Sequence, residues 1–236
     1  MRRIYSLYAW VIGGGFFMLS LILATLLSFI MPVRWIDPAL KLSCRIVFRI
    51  MFIKVKCEGA DFISRDRHYL YMANHVNIFD IPLLEGYIPG FVRGIEASRQ
   101  FSWPVYGWAI RRMGNIPIDR NNFHSAIRSV KQAAAFIKRG RSLVVLPEAH
   151  RTRDGELQRF KRLPFRLAQE AGIPVVPVAL VGMYRLKQIT SGTIRRSNIG
   201  IHFGQPIDAE TVQSLSPDEL SAIVRTKILE LLEAGA

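Results

Sequence analysis

A histidine and an aspartate, His75 and Asp80, lie five positions apart in the stretch Asn74-His75-Val76-Asn77-Ile78-Phe79-Asp80. In a helix, five steps of ~100° would leave the two side chains about 140° apart. In a strand, an odd step puts them on opposite faces. The pair can meet only across a turn. Upstream, His68 to Ala73 reads as a buried strand; downstream, Ile81-Pro82-Leu83-Leu84-Glu85 reads as a helix start. A histidine on a strand-to-helix turn, its ring oriented by a carboxylate, is an arrangement for general-base chemistry. The same residues have a structural reading, because Asp ahead of Ile-Pro is a favoured N-cap.

Two further turns place charged residues between apolar runs. Gly114-Asn115-Ile116-Pro117-Ile118-Asp119-Arg120 stands just before a helical pattern that starts at Phe123. Arg120 near a helix N-terminus suits a phosphate, through its forked guanidinium and the free N–H groups of the helix end; an exposed Asp119–Arg120 pair is the alternative. Leu146-Pro147-Glu148-Ala149-His150-Arg151-Thr152-Arg153 follows the apolar run Ser142 to Leu146. Ends of strands are the usual location of sites in open α/β sheets. Glu148 and Arg151 could pair with each other and with a bound anion, or form a solvated loop.

The elements that must position these turns follow from periodicity. Short apolar runs at Phe91–Ile95, Ser142–Leu146, Val175–Leu180 and Ile199–Phe203 read as strands, and Pro177 within one of them predicts a bulge or an edge position. Phe123, Ile127, Val130, Ala134 and Ile137 share a helix face that ends at Gly140; Leu163 to Ala171 is helical and ends at Gly172. Ser216-Pro217-Asp218-Glu219 is a capping box before a closing amphipathic helix. The alternation predicts an α/β fold, a mixed, largely parallel sheet flanked by helices.

The chain has 236 residues, half of them hydrophobic, and Lys+Arg is 32 against Asp+Glu 18, a net charge of +14. That combination favours an anionic membrane surface as partner and no nucleic acid, since no nucleic-acid-binding signature accompanies the charge. Cys44 and Cys57 make no disulfide framework. From Ile4 to Val33 there is no charged residue. The run is longer than a signal-peptide core and long enough to anchor in a bilayer, with Tyr5, Tyr8, Trp10 and Trp35 as interfacial anchors and Gly13-Gly14-Gly15 favouring a kink or a re-entrant hairpin. Pro38 to Lys54 carries Leu42, Ile46, Ile50 and Ile53 at helical spacing among Lys41, Arg45 and Arg49. It fits either a basic helix on the membrane surface or a packing helix. The division is therefore 1–54, N-terminal membrane helices, and 55–236, the α/β domain.

In order, His-x4-Asp, Ile-x-Ile-Asp-Arg, Pro-Glu-x-x-Arg and Ile173-Pro-Val-Val-Pro-Val178 resemble the 1-acyl-sn-glycerol-3-phosphate acyltransferases, a family of membrane-bound glycerolipid acyltransferases. The resemblance runs from about Val55 to Pro206 and includes Trp103-Pro-Val-Tyr-Gly-Trp108 and Phe160-Lys161. Two departures stand out. The third motif of the family usually reads Glu-Gly-Thr-Arg, and here Ala149 and His150 replace Gly and Thr at a turn where glycine's flexibility matters. Leu163-Pro164 stands where the family commonly has a glycine after Phe-Lys.

The resemblance implies transfer of a fatty acyl chain from acyl carrier protein or coenzyme A to the sn-2 hydroxyl of lysophosphatidic acid, giving phosphatidic acid for phospholipid biosynthesis. It implies direct transfer without a covalent acyl-enzyme, no cofactor and no metal. His75 would be the base and Asp80 its orienter; Arg120 and Arg151 would grip the phosphate, with Glu148 fixing Arg151 or a glycerol hydroxyl. The partners implied are membrane lipids, the lysolipid and the thioester donor, and the expected location is a bacterial inner membrane with the site on its cytoplasmic face. Another lysophospholipid or a lyso-aminolipid is the alternative acceptor. A non-catalytic membrane scaffold is more remote. A metal hydrolase is disfavoured: His75 and Asp80 offer two ligands, and His124, His150 and His202 show no metal spacing.

Overall fold

The computed structural model describes residues 2–119 and 123–235, with the backbone alone for 123–127. The N-terminus forms one uninterrupted helix that takes in most of the charge-free run: α1 (Arg2–Tyr8), a π-helical turn (Ala9–Gly14) and α2 (Gly15–Leu27). It is 26 residues long and apolar enough to cross a membrane. The glycines permit close packing here: a Cβ on Gly13 would lie 2.6 Å from Met51 Cγ. Tyr5, Tyr8 and Trp10 hold the helix down. Their polar tips donate to Met51 O, Ile50 O and Gly192 O at 2.7, 3.0 and 2.8 Å, so they dock the helix on the protein.

After a turn, α3 (Val33–Ile50) runs back along α2. It begins five residues earlier than the Pro38 start read from the sequence. Its buried face is Ile36, Leu40, Cys44, Val47 and Phe48, while Leu42 is exposed. The cause is α4 (Asp80–Tyr87), against which α3 packs through Gly86. Lys41 Nζ donates to Glu85 O and Ile88 O, and Arg45 Nε donates to Gly86 O. Two of the cations expected on a membrane surface thus cap the negative end of a neighbouring helix. A buried ion pair, Arg93 to Asp37 at 2.7 Å, ties α3 to the sheet.

Seven strands form one sheet: β1 (Val55–Glu58), β2 (Leu70–Ala73), β3 (Val92–Ala97), β4 (Ile116–Ile118), β5 (Ser142–Val145), β6 (Val175–Val181) and β7 (Ile199–Phe203), in the order β1-β7-β6-β2-β5-β3-β4. All pairs are parallel except β6 with β7. Strand β6 has neighbours on both sides, so Pro177 is not at an edge. It sits at a bulge. Val178 faces Phe203 while Val175 faces Ile207, so one extra residue is accommodated on the partner chain beside the proline that lacks a donor.

Alternate residues of β6 feed two layers. Val176, Val178 and Leu180 join Val47, Phe48 and the residues of α4 on one side. Val175, Ala179 and Val181 join the other side, built by α6 (Phe123–Lys138), α7 (Leu163–Ala171) and α10 (Pro217–Ala234). Between them in the chain, α5 (Tyr106–Met113) packs under α2, and α8 (Met183–Leu186) and α9 (Ala209–Ser214) are short connectors. The Gly172 and Ser216 boundaries fall where the sequence places them, with Gly172 left-handed at φ 62° and a complete capping box at Ser216.

Candidate active site

Strands β2, β3, β4, β5 and β6 are mutually parallel, so their C-terminal ends share one edge of the sheet. His75 follows β2, Ser98 follows β3, Asp119 follows β4 and Glu148 follows β5. That is why stretches far apart in sequence converge, and they do so on a cavity of about 850 Å³.

The His75 turn is closed by Asp80. Asp80 Oδ2 lies 2.7 Å from His75 Nδ1 and accepts the N–H groups of Val76 and Asn77 at 2.6 and 3.0 Å. Asp80 is fully buried as the first residue of α4 and caps nothing ahead of it; its carboxylate points back into the turn. An oxygen that already accepts two N–H groups sets Nδ1 as the donor, which leaves the Nε2 lone pair for the cavity that His75 lines. Asp80 Oδ1 is buried with no hydrogen-bond partner among the described residues.

Two asparagines that the sequence reading left without a role hold the turn in place. Asn74 exchanges two hydrogen bonds with the Leu180 backbone of β6. Asn77 donates to Met183 O and Lys187 O and accepts from Phe79 N–H. Their signal was available: a carboxamide on each side of a buried histidine turn can satisfy backbone groups no ladder reaches.

Glu148 is buried and turned inward. Its Oε1 accepts the His75 N–H at 2.5 Å and its Oε2 the Gln158 N–H at 2.8 Å, while His75 O accepts from Thr152 N–H. Burial, the largest influence, pushes its carboxyl up to about 7, against the lowering effect of those two N–H groups. No ion pair joins Glu148 to Arg151 among the described residues. Arg151 lines the cavity half-buried, without a hydrogen bond or ion pair among those residues. Nearby, Lys187 is buried, and burial followed by the charge of Arg151 lowers its pKa. Ile118 and Asp119 also reach the cavity; Arg120 lies outside the described residues.

Ala149 takes φ 64°, a left-handed conformation that suits glycine. Val105 takes φ 61° and ψ −64° in a three-residue turn, with Tyr106 N–H donating to Pro104 O at 2.7 Å. This conformation is rare for a β-branched residue, and nothing in the sequence announced it. It carries Trp103, Pro104 and Tyr106 onto the cavity wall. Arg99, also missed, lines the cavity from the short helix that follows β3. The opposite wall is Trp10, Gly13, Gly14, Phe17 and Met18 of the N-terminal helix, and Trp10 packs on Phe79 at 5.9 Å. An imidazole with a carboxylate behind it and cations beside it thus opens into an apolar chamber roofed by the N-terminal helix.

Comparison with known proteins bears on this arrangement. A family profile described as Acyltransferase matches residues 54–181. The chain is 30% identical over 184 residues to the chloroplast 1-acyl-sn-glycerol-3-phosphate acyltransferase LPAT1 of Arabidopsis thaliana, covering 77% of this chain and 50% of that protein. It is 26% identical over 226 residues to the 1-acyl-sn-glycerol-3-phosphate acyltransferase of Saccharomyces cerevisiae, covering 94% of this chain and 73% of the other. The chain spans about half the length of the chloroplast relatives it matches. The crystal structure of the 1-acyl-sn-glycerophosphate acyltransferase PlsC from Thermotoga maritima superposes with a TM-score of 0.84 at 25% identity, covering 99% of this chain and 97% of that one. Since the matched segment holds the His75 turn, the Asp119 strand end, the Glu148 turn and the strand that anchors Asn74, this chain belongs to the acyltransferase family.

Proposed function

We propose that the protein transfers a fatty acyl chain from an acyl thioester to the sn-2 hydroxyl of lysophosphatidic acid, giving phosphatidic acid. The observation that carries this reading is the His75–Asp80 pair, 2.7 Å apart, opening into a cavity with one apolar wall and cationic side chains. A neutral alcohol is a weak nucleophile, so its proton must leave as the bond to the thioester carbon forms. His75 Nε2 takes that proton, and Asp80 steadies the imidazolium through Nδ1–H. As the tetrahedral intermediate collapses, the thiolate departs and the imidazolium supplies its proton.

Arg151, Arg120 and Arg99 are assigned to the acceptor's phosphate, which a guanidinium fork matches. Glu148 is assigned to positioning, because both its oxygens hold backbone N–H groups. The apolar wall takes hydrocarbon, and the N-terminal helix sets the cavity at the membrane, so the lysolipid need not leave the bilayer. We place the site on the cytoplasmic face of a bacterial inner membrane, where a thioester donor meets the lipid. A second reading keeps the reaction and changes the acceptor to another lysophospholipid or a lyso-aminolipid. It rests on Ala149 and His150, which replace the family's Gly and Thr and line the cavity beside Arg151.

A panel of lysolipid acceptors with acyl carrier protein and coenzyme A donors, offered to the purified protein and read by lipid mass spectrometry, tests both. Phosphatidic acid as the dominant product supports the first reading. Preference for an acceptor without a terminal phosphate replaces it with the second, and no acylated product from any pair sinks both.

A further inference from the structure

Along the N-terminal helix, Trp10, Gly13, Gly14, Phe17 and Met18 face the cavity. Steps of three, four, seven and eight from Trp10 place them on one helix stripe. Two positions without side chains stand between large ones, which leaves room for hydrocarbon beneath the helix. Trp10 borders that room and also reaches two other parts of the protein. It lies in the π-helical turn, a widened turn that is rare and recurs at functional sites.

The indole ring packs on Phe79, with 5.9 Å between centroids and 33° between planes. Phe79 is buried, directly precedes Asp80, and donates its N–H to Asn77 Oδ1 at 2.8 Å. The indole Nε1–H donates to Gly192 O at 2.8 Å. Gly192 belongs to the segment 187–194 that follows α8. That segment starts at Lys187, whose carbonyl accepts from Asn77 Nδ2 at 3.0 Å. Lys187 Nζ closes the segment on itself through Gln188 O and Ser191 O, at 3.0 and 2.9 Å. Two routes thus run from one side chain of the roof to the turn that holds His75. One passes ring to ring through Phe79 to Asp80, the other through Gly192 and Lys187 to Asn77. Tyr8 offers a contrast: it docks the same helix by its hydroxyl on Ile50 O and is not part of the cavity wall.

We propose that Trp10 is a positioning residue for acyl transfer. It holds the roof of the apolar chamber in register with the His75 turn, so that an acyl chain lying beneath the helix presents its thioester carbon to the base. The inference rests on the acyl-transfer reading above and adds to it a residue of the N-terminal helix. Hydrocarbon binding draws on the whole apolar wall, of which Trp10 is one part. The placement of that wall over the base runs through the two contacts of the indole. Losing those contacts therefore costs rate more than affinity, because a misplacement of about 1 Å can cost roughly 10²-fold.

The test is steady-state kinetics of the full chain in vesicles, with a long-chain acyl thioester and lysophosphatidic acid. Trp10→Leu keeps an apolar side chain at the wall and removes both contacts. It should lower kcat about tenfold or more, while KM for either substrate moves by a smaller factor. Trp10→Phe keeps a ring against Phe79 and loses the N–H, so its kcat should fall between those of the parent and Trp10→Leu; this milder change carries the test if the leucine variant is unstable. Tyr8→Phe removes a docking hydrogen bond from the same helix and should leave kcat at the parental level. Trp10→Leu combined with Phe79→Leu should cost less than the product of the two separate losses, because they share one contact. Parental kcat in both Trp10 variants, an effect confined to KM, an equal loss in Tyr8→Phe, or fully multiplicative losses in the double variant would overturn the proposal. Each of these leaves the acyl-transfer reading standing, since the parent still turns over. No acylated product from the unaltered protein would remove both.

Discussion

Asn74, Asn77 and Asp80 bind the turn at His75 to its surroundings, whereas the turn at Arg151 is joined to the fold at its flanks and strained at its centre. Seven hydrogen bonds between these three side chains and backbone groups, two at Asn74, three at Asn77 and two accepted by Asp80 Oδ2, fix the first turn. In the second, Glu148 and Thr152 are anchored, but Ala149 between them is left-handed and Arg151 reaches the cavity without a partner among the described residues. The difference fits the two roles proposed for these turns. A base must hold one geometry, because proton transfer tolerates little displacement. A side chain that receives a charged group gains from having no internal partner to give up.

Substitutions can break that contrast, and they rank by expected effect. His75→Ala should lower kcat by roughly 10²–10⁴, with the melting temperature and membrane association retained; comparable turnover in a lipid assay would remove the base assignment. Asp80→Asn should also lower kcat, by no more than the loss of the base itself, and cost about 1–3 kcal/mol of stability, since the imidazole loses its carboxylate and two buried N–H groups lose a charged acceptor. A denaturation curve that matches the parent would show the carboxylate is dispensable to the turn. Arg151→Ala should raise KM for a phosphate-bearing acceptor about 10- to 100-fold, the worth of one charge-assisted contact, and leave a neutral acceptor little affected. Similar KM changes for both acceptors would take Arg151 out of the phosphate site.

The smaller effects sharpen the comparison. Glu148 has its carboxyl raised from 4.5 to about 7 by burial. A raised carboxyl binds more protons in the folded state, so its contribution to stability falls as pH rises between those two values. The parent's stability advantage over Glu148→Gln should therefore be largest near pH 4.5 and shrink by about 1–3 kcal/mol toward pH 7. Melting curves of both proteins across that range that stay parallel would contradict it. Ala149→Gly should stabilise the protein by about 0.5–1 kcal/mol by relieving the left-handed alanine. A lower melting temperature would mean the methyl group packs usefully at the cavity wall.

Local order was legible because it rests on short-range physics. The 3.6 and 2.0 periods, the capping box at Ser216 and the left-handed glycine at Gly172 depend on neighbours in the chain, and they stand where the periodicity puts them. The His75–Asp80 turn was legible for a geometric reason: no regular element allows that spacing to meet. The fate of α3 was not. Its stripe of Leu42, Ile46 and Ile50 competes with a second face of Leu40, Cys44 and Val47, and only the presence of α4 with its close-packing Gly86 decides between them.

By itself, the sequence determined the alternating elements, the charge-free helix and the three polar turns, since each is set by residue type and spacing. Only the tertiary structure decided that Glu148 faces inward to His75, that Tyr5, Tyr8 and Trp10 dock the helix on the protein, and that this helix forms a wall of the cavity. Those outcomes depend on which donors and acceptors folding brings together across more than forty positions of chain, and no local pattern records such pairings.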